Sequence, residues 1–165
     1  MRVAIVTVSD SSFDGERHDE SGETIREWCS QRGYTVASRE QVPDETSRIV
    51  PRLASLCDGG AVDLVLTTGG TGLSPRDVTP EATRVVIERD AVGIAEYLRV
   101  ATFADFPRAA LSRGVAGVRG RALIVNLPGS PRGVSDTLAV LERIVDHAVD
   151  VLTGVVTRHD RGPAA

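Results

Sequence analysis

Along the chain, short apolar runs alternate with longer segments in which apolar positions recur every three to four residues. This is the pattern of an α/β domain built on a largely parallel sheet. Val3 to Val8 reads as a first strand, and Ser21 to Arg32 as a helix ended by Gly33, a usual residue just beyond a helix C-terminus. Thr35 to Val42 forms a second strand. After Pro43, Asp44 is placed to cap a helix over Glu45 to Asp58, which Pro51 is expected to kink or to delay. Val62 to Thr67 is apolar and β-branched, a buried central strand that runs directly into Thr68-Gly69-Gly70-Thr71-Gly72.

Thr79-Pro80-Glu81 opens the next helix, with Thr79 as its cap and an end near Arg89. A further helix starts near Gly93 and carries the stripe Ile94, Tyr97, Leu98 and Ala101; Phe103 to Pro107 interrupts it. Val115 to Val118 and Ala122 to Val125 make two short strands around Arg119-Gly120, and a last helix over Pro131 to Leu152 turns Val134, Leu138, Leu141, Val145 and Val151 to a core. One domain over residues 1–157 is expected, with a frayed tail over 158–165.

Composition narrows the chemistry. The length of 165 residues suits one domain, and 41% hydrophobic with 25% charged residues excludes a disordered or collagen-like chain. Nineteen basic residues against 23 acidic ones leave a net charge of −4, which argues against coating a nucleic acid. Every basic residue is Arg, so a Walker A loop, a Schiff-base lysine and a kinase strand lysine cannot be built. Cys29 and Cys57 form no CxxC pair and read as free, half-buried thiols. The apolar run at the start is too short for a signal peptide, and no stretch approaches the ~20 apolar residues of a membrane span, so a soluble cytoplasmic protein is the default expectation.

In open parallel sheets ligands bind beyond the carboxyl ends of the strands, where loops converge and helix N-termini point inward. The first strand hands Ser9-Asp10-Ser11-Ser12 to that edge, the second Pro43-Asp44, the third Thr68 to Gly72 with Asp77 beyond, and the last Asn126 to Ser130. The three glycines of Gly69 to Gly72 allow close backbone approach and aim N–H groups at anionic oxygens, so phosphate is the natural ligand; an ordinary tight turn is the plain alternative. Asp44 and Asp77, unless they serve only as helix cap and turn residue, can hold a hard divalent cation such as Mg2+ on a nucleotide, which points to metal-assisted phosphoryl or nucleotidyl transfer. Arg76 and Arg132 could clasp phosphate oxygens bidentately. Serine-hydrolase chemistry fares worse: Gly129-Ser130-Pro131-Arg132-Gly133 lacks the nucleophile-elbow spacing, and His18, His147 and His159 supply no obvious base. Trp28 reads as core.

The blocks Leu66-Thr67-Thr68-Gly69-Gly70-Thr71-Gly72, Arg76-Asp77-Val78-Thr79-Pro80-Glu81-Ala82, Ala110-Leu111-Ser112-Arg113 and Asn126-Leu127-Pro128-Gly129-Ser130-Pro131 closely resemble the MogA and MoaB family of molybdenum-cofactor biosynthesis proteins, relatives of the gephyrin G domain. The likeness runs from Val3 to about Gly154. It implies a three-layer α/β/α sandwich with a mostly parallel sheet, a homotrimer, binding of molybdopterin and ATP, and Mg2+-dependent transfer of AMP to the pterin's terminal phosphate. Asp44 and Asp77 match the family's two functional, metal-holding aspartates. Thr68, Gly69, Gly70, Thr71 and Gly72 match its nucleotide and pterin loop, Ser9, Asp10 and Ser11 the wall of the nucleotide pocket, and Ser112, Asn126, Pro128, Gly129 and Ser130 pterin-side elements. A molybdenum-insertase partner is implied downstream. The alternative is a carrier or scaffold that binds molybdopterin without turnover, as expected of some MoaB-type members.

Overall fold

The computed structural model describes residues 1–155. The expected tail and the domain limit at 157 lie outside the described residues. Six strands form one sheet: β1 (Arg2–Val8), β2 (Thr35–Val42), β3 (Leu64–Thr68), β4 (Arg89–Asp90), β5 (Ala116–Arg119) and β6 (Ala122–Leu127), in the order β2-β1-β3-β6-β5-β4. β2, β1, β3 and β6 run parallel, and β5 and β4 continue the sheet antiparallel to their neighbours. The central strands are buried on both faces, which is why β1, β3 and β6 are near-continuous apolar runs.

Helices cover both faces and make three layers. On one side Val3, Ile5, Leu64, Leu66, Val125 and Leu127 pack with α2 (Glu20–Gln31), α5 (Val92–Phe103), α6 (Pro131–Leu141) and α7 (Val145–Thr153). On the other, Ala4, Val6, Val8, Val65 and Ile124 pack with α3 (Thr46–Asp58) and α4 (Thr79–Val86). Odd and even positions of β1 therefore serve opposite cores, as a period of two requires. Trp28 lies in the first core, as expected, and both cysteines are buried and free. Among the described residues no helix is long and apolar enough to cross a membrane.

Expectations are corrected at three elements, and one short helix has no counterpart in the sequence reading. The segment after β1 is a short helix, α1 (Asp10–Phe13), capped by Ser9, whose hydroxyl accepts the Ser12 N–H. Helix α3 starts at Thr46 and runs through Pro51, so the proline does not delay it; its N-cap residue is Glu45, and Asp44 is freed for another contact. Helix α4 ends at Val86, not near Arg89, because Ile87 turns extended (ψ 144°) and sends Arg89–Asp90 to pair with β5 as an edge strand. Its cap residue is Val78, and the Thr79 hydroxyl is spent elsewhere. The single last helix is two, α6 and α7, broken at Ile144 (φ −130°). Leu141 and Val145 are both fully buried, so the apolar stripe continues across the break and no Gly or Pro marks it.

Candidate active site

The carboxyl ends of β1, β2, β3 and β6 bring the expected residues to one rim. Thr68 ends β3 and donates its hydroxyl to the Pro128 carbonyl at 2.6 Å, fastening the turn after β6 to the turn after β3. Ser21, at the start of α2, donates to the Gly129 carbonyl at 2.8 Å. The two glycine turns touch, with Gly69 Cα 3.2 Å from where a Cβ on Gly129 would stand. Gly69 (φ +94°) and Gly70 (φ +61°) adopt a left-handed backbone that side chains resist. Space excludes a side chain as well: a Cβ on Gly69 would meet the Val8 carbonyl oxygen at 2.1 Å, and one on Gly70 would meet Thr79 Oγ1 at 2.4 Å.

The loop curls around the two aspartates. Asp44 Oδ1 lies 3.0 Å from the Cβ position of Gly70, and Asp77 Oδ2 lies 2.9 Å from that of Gly72. Asp77 Oδ2 accepts the Ser74 N–H at 2.7 Å, closing its own turn. Asp44 Oδ2 accepts the Asp10 N–H at 2.9 Å, and the Asp44 N–H returns the bond to Asp10 Oδ1 at 2.9 Å. Burial pushes the Asp44 carboxyl above its ordinary pKa, and the charges of Asp10 and Asp77 add to that. Asp10 is held the other way, below its ordinary value, by the Arg76 guanidinium and then by the Asp44 N–H.

Two clefts open on this rim. One, between α5, a 3-10 turn (Pro107–Leu111) and α6, is lined by apolar Leu98, Phe106 and Ala109 with Ser112, Pro128 and Ser130 at its polar end. The second is lined by Ser9, Ser12, Thr68, Gly69 and Gly129. Of the anticipated residues, Ser112, Asn126, Pro128 and Ser130 line the first cleft and Ser9, Thr68, Gly69 and Gly129 the second, while Asp44, Asp77 and Gly70 to Gly72 line neither. Ser9 and Ser11 sit 3.2 Å apart through their hydroxyls beside the second cleft. Ser130 caps α6, accepting the Gly133 N–H. Asn126 turns its amide inward, donating to Thr67 and Thr83 and accepting the Val115 N–H, so its side chain braces the fold beneath the first cleft. Arg132 stands on α6 with its side chain 85% exposed, facing Asp136 at 3.8 Å, while Arg76 is occupied by Asp10.

Arg113 escaped selection as a site residue, although its motif did not. Its backbone N–H donates to the Thr71 carbonyl at 2.8 Å and its Nε to the Gly72 carbonyl at 2.7 Å, while its Nη atoms reach the Asp77 carbonyl and the Glu81 carboxylate. Thr79 supports the same loop from beneath, its hydroxyl donating to the Gly69 carbonyl at 2.9 Å and its N–H to that of Gly70 at 3.0 Å. Arg113 lies 41 positions from Gly72 and no local pattern signals the contact, while Thr79, 10 positions from Gly69, reads locally as a helix cap.

Residues 4–147 match the family described as a probable molybdopterin binding domain. The chain belongs to that family of molybdenum-cofactor biosynthesis proteins. It is 36% identical to the molybdopterin adenylyltransferase of Helicobacter pylori over 93% of this chain and 89% of that one, and 39% identical to the molybdopterin adenylyltransferase of Escherichia coli over 84% and 72%. It spans only 25% of the Drosophila melanogaster molybdenum cofactor synthesis protein cinnamon, at 36% identity. The crystal structure of the molybdopterin biosynthesis enzyme MoaB from Thermus thermophilus superposes with a TM-score of 0.88, at 50% identity, covering 93% of this chain and 96% of that one. The three-layer sandwich anticipated from the resemblance is the fold found.

Proposed function

We propose that this chain is a molybdopterin adenylyltransferase that moves AMP from ATP to the terminal phosphate of molybdopterin. An oxygen of the pterin phosphate bonds to the α-phosphorus of ATP, the bond from that phosphorus to the bridging oxygen breaks, and pyrophosphate leaves. The observation that carries the reading is the wrapping of Gly70 and Gly72 against Asp44 and Asp77, which sets two carboxylates against backbone that can approach phosphate closely. Two clefts suit two substrates: we assign the pterin to the apolar one, with Ser112 and Ser130 at its polar end, and a phosphate of the nucleotide to the small one beside Ser9 and Thr68. The names of the bacterial relatives support the same reaction.

The donor set fits Mg2+. Among the described residues no group donates to Asp44 Oδ1 or Asp77 Oδ1, and burial of Asp44 beside two other carboxylates is a charge arrangement that a hard cation relieves. One or two carboxylates plus substrate phosphates is the usual magnesium environment. Asp44 and Asp77 would hold the ion, which supplies charge neutralisation on the phosphates. The chain's own part is to orient: amides of the Gly69 to Gly72 loop face the phosphates. Self-association as a homotrimer belongs to the same proposal, supported by Val92, Val100 and Phe103 of α5, each more than half exposed, and is read by light scattering.

The test mixes the chain with molybdopterin, ATP and Mg2+ and follows pyrophosphate and adenylylated pterin. Release of both, lost in Asp77→Asn, is the expected result. Pterin binding without turnover would establish the carrier function instead.

A further inference from the structure

In the sheet β1 lies between β2 and β3, so a residue just beyond β1 sits between the loops that carry Asp44 and Asp77. Asp10 occupies that position, and its carboxylate touches both sides. Oδ1 accepts the Asp44 backbone N–H at 2.9 Å. On the other side the Arg76 guanidinium grips both oxygens, with Nη2 at 2.9 Å from Oδ1 and 2.7 Å from Oδ2, and Nε at 3.1 Å from Oδ2. Arg76 directly precedes Asp77, whose carboxylate is fixed within the same turn by the Ser74 N–H. The Asp10 main chain adds a third tie, since its N–H holds Asp44 Oδ2.

The Asp10 and Arg76 side chains are 44% and 58% exposed, so their attraction adds little to stability. What the fork does is fix direction, because a guanidinium on two carboxylate oxygens has one planar arrangement. We propose that Asp10 is a positioning residue: its carboxylate sets the separation of Asp44 and Asp77, so that both acids reach one divalent cation. The proposal rests on the adenylyl-transfer reading given above. Nearby groups that orient metal ligands without touching the ion have this kind of leverage, typically changing metal affinity by about 10–100-fold.

The test uses three variants of the full chain. Asp10→Ala removes both side-chain ties, Asp10→Asn keeps an oxygen for the Asp44 N–H but gives up the ion pair, and Arg76→Gln removes the guanidinium alone. Two quantities are read: the Mg2+ midpoint for adenylyl transfer at saturating ATP, and Mn2+ binding in the presence of a non-hydrolysable ATP analogue, followed by the paramagnetic resonance of the free ion. Asp10→Ala should raise both midpoints by about tenfold and each of the other two variants by about threefold, with kcat at saturating Mg2+ falling less than the midpoint rises. Unchanged Mn2+ binding in Asp10→Ala with wild-type thermal unfolding overturns the proposal. So does a rise in the KM for ATP in Arg76→Gln with both metal midpoints unmoved, which would make Arg76 a phosphate ligand rather than a tether. If Asp10→Ala does not fold, the Asn and Gln variants decide by the same criteria. A wild-type chain that binds Mn2+ with the analogue yet transfers no AMP sinks the adenylyl-transfer reading, and the Mn2+ comparison alone then decides Asp10; a chain that does neither sinks both.

Discussion

Gly70 and Thr79 are joined by a hydrogen bond, the Thr79 N–H donating to the Gly70 carbonyl at 3.0 Å, and a methyl group on Gly70 would stand 2.4 Å from Thr79 Oγ1. The first turn of α4 is therefore the floor on which the glycine loop rests. Gly70→Ala must move one of them, at a backbone angle (φ +61°) that alanine disfavours. Expected are a loss of about 1–3 kcal/mol in urea unfolding and a fall of about 100-fold in adenylyl transfer, because Asp44 Oδ1 lies 3.0 Å from the same added atom. Wild-type turnover in this variant would show that the loop does not contact the reacting groups.

Arg113 clasps the far side of that loop through the Thr71, Gly72 and Asp77 carbonyls. Arg113→Ala leaves the Gly72 and Asp77 carbonyls without their charged donor, while the main-chain bond to Thr71 remains, at a cost of about 1–3 kcal/mol in stability. Arg113→Lys restores the charge without the fork, so it should recover less than half of the loss. Chemical denaturation of the three proteins measures the order.

Asp44, which the proposed reaction assigns to the metal, works against the fold. Its carboxyl is raised above the ordinary carboxylate range, first by burial. A raised carboxyl contributes stability that is complete below the unfolded pKa of about 3.9 and lost as the pH climbs through the folded value. At pH 7 the ionised group is therefore a burden, and Asp44→Asn should raise Tm by roughly 1–4 °C there while removing activity about 100-fold or more. Asp10 runs the opposite way: its lowered carboxyl contributes above about pH 3.9 and ceases to do so as acid takes the pH through the folded value. Thermal scans of Asp44→Asn from pH 3 to pH 8 should show the gain shrinking toward acid; a constant gain contradicts the assignment.

Burial pushes the Cys29 and Cys57 thiols up to about 11. Thiolate is then scarce at neutral pH, and both side chains are enclosed. A thiol reagent at pH 8 should label neither cysteine in the folded chain and both after denaturation. Fast labelling of the native protein would mean that one of the cores opens.

The α/β class with its largely parallel sheet and the glycine-rich edge were legible from the sequence because both rest on local signals. Buried parallel strands are short β-branched runs, and a loop that must approach anionic oxygens is written in glycine. The end of α4 and the break between α6 and α7 were not legible. The first depends on a two-residue pairing of Arg89–Asp90 with β5, and the second leaves the apolar stripe intact. Asp44 shows the division most sharply. Its place after the second strand could be read from the pattern, but there it looks like a helix cap. Only the folded chain brings Asp10 to it across 34 positions and turns its carboxylate to the glycine loop instead. Arg113 likewise acquires its work only when the loop after β3 and the segment before β5 are packed side by side. Sequence by itself determined most of the strands and helices and which residues crowd one sheet edge, since periodicity and turn chemistry act over a few residues. The partner of each side chain was decided by tertiary structure, because hydrogen bonds between loops depend on strand order, which no short-range pattern encodes.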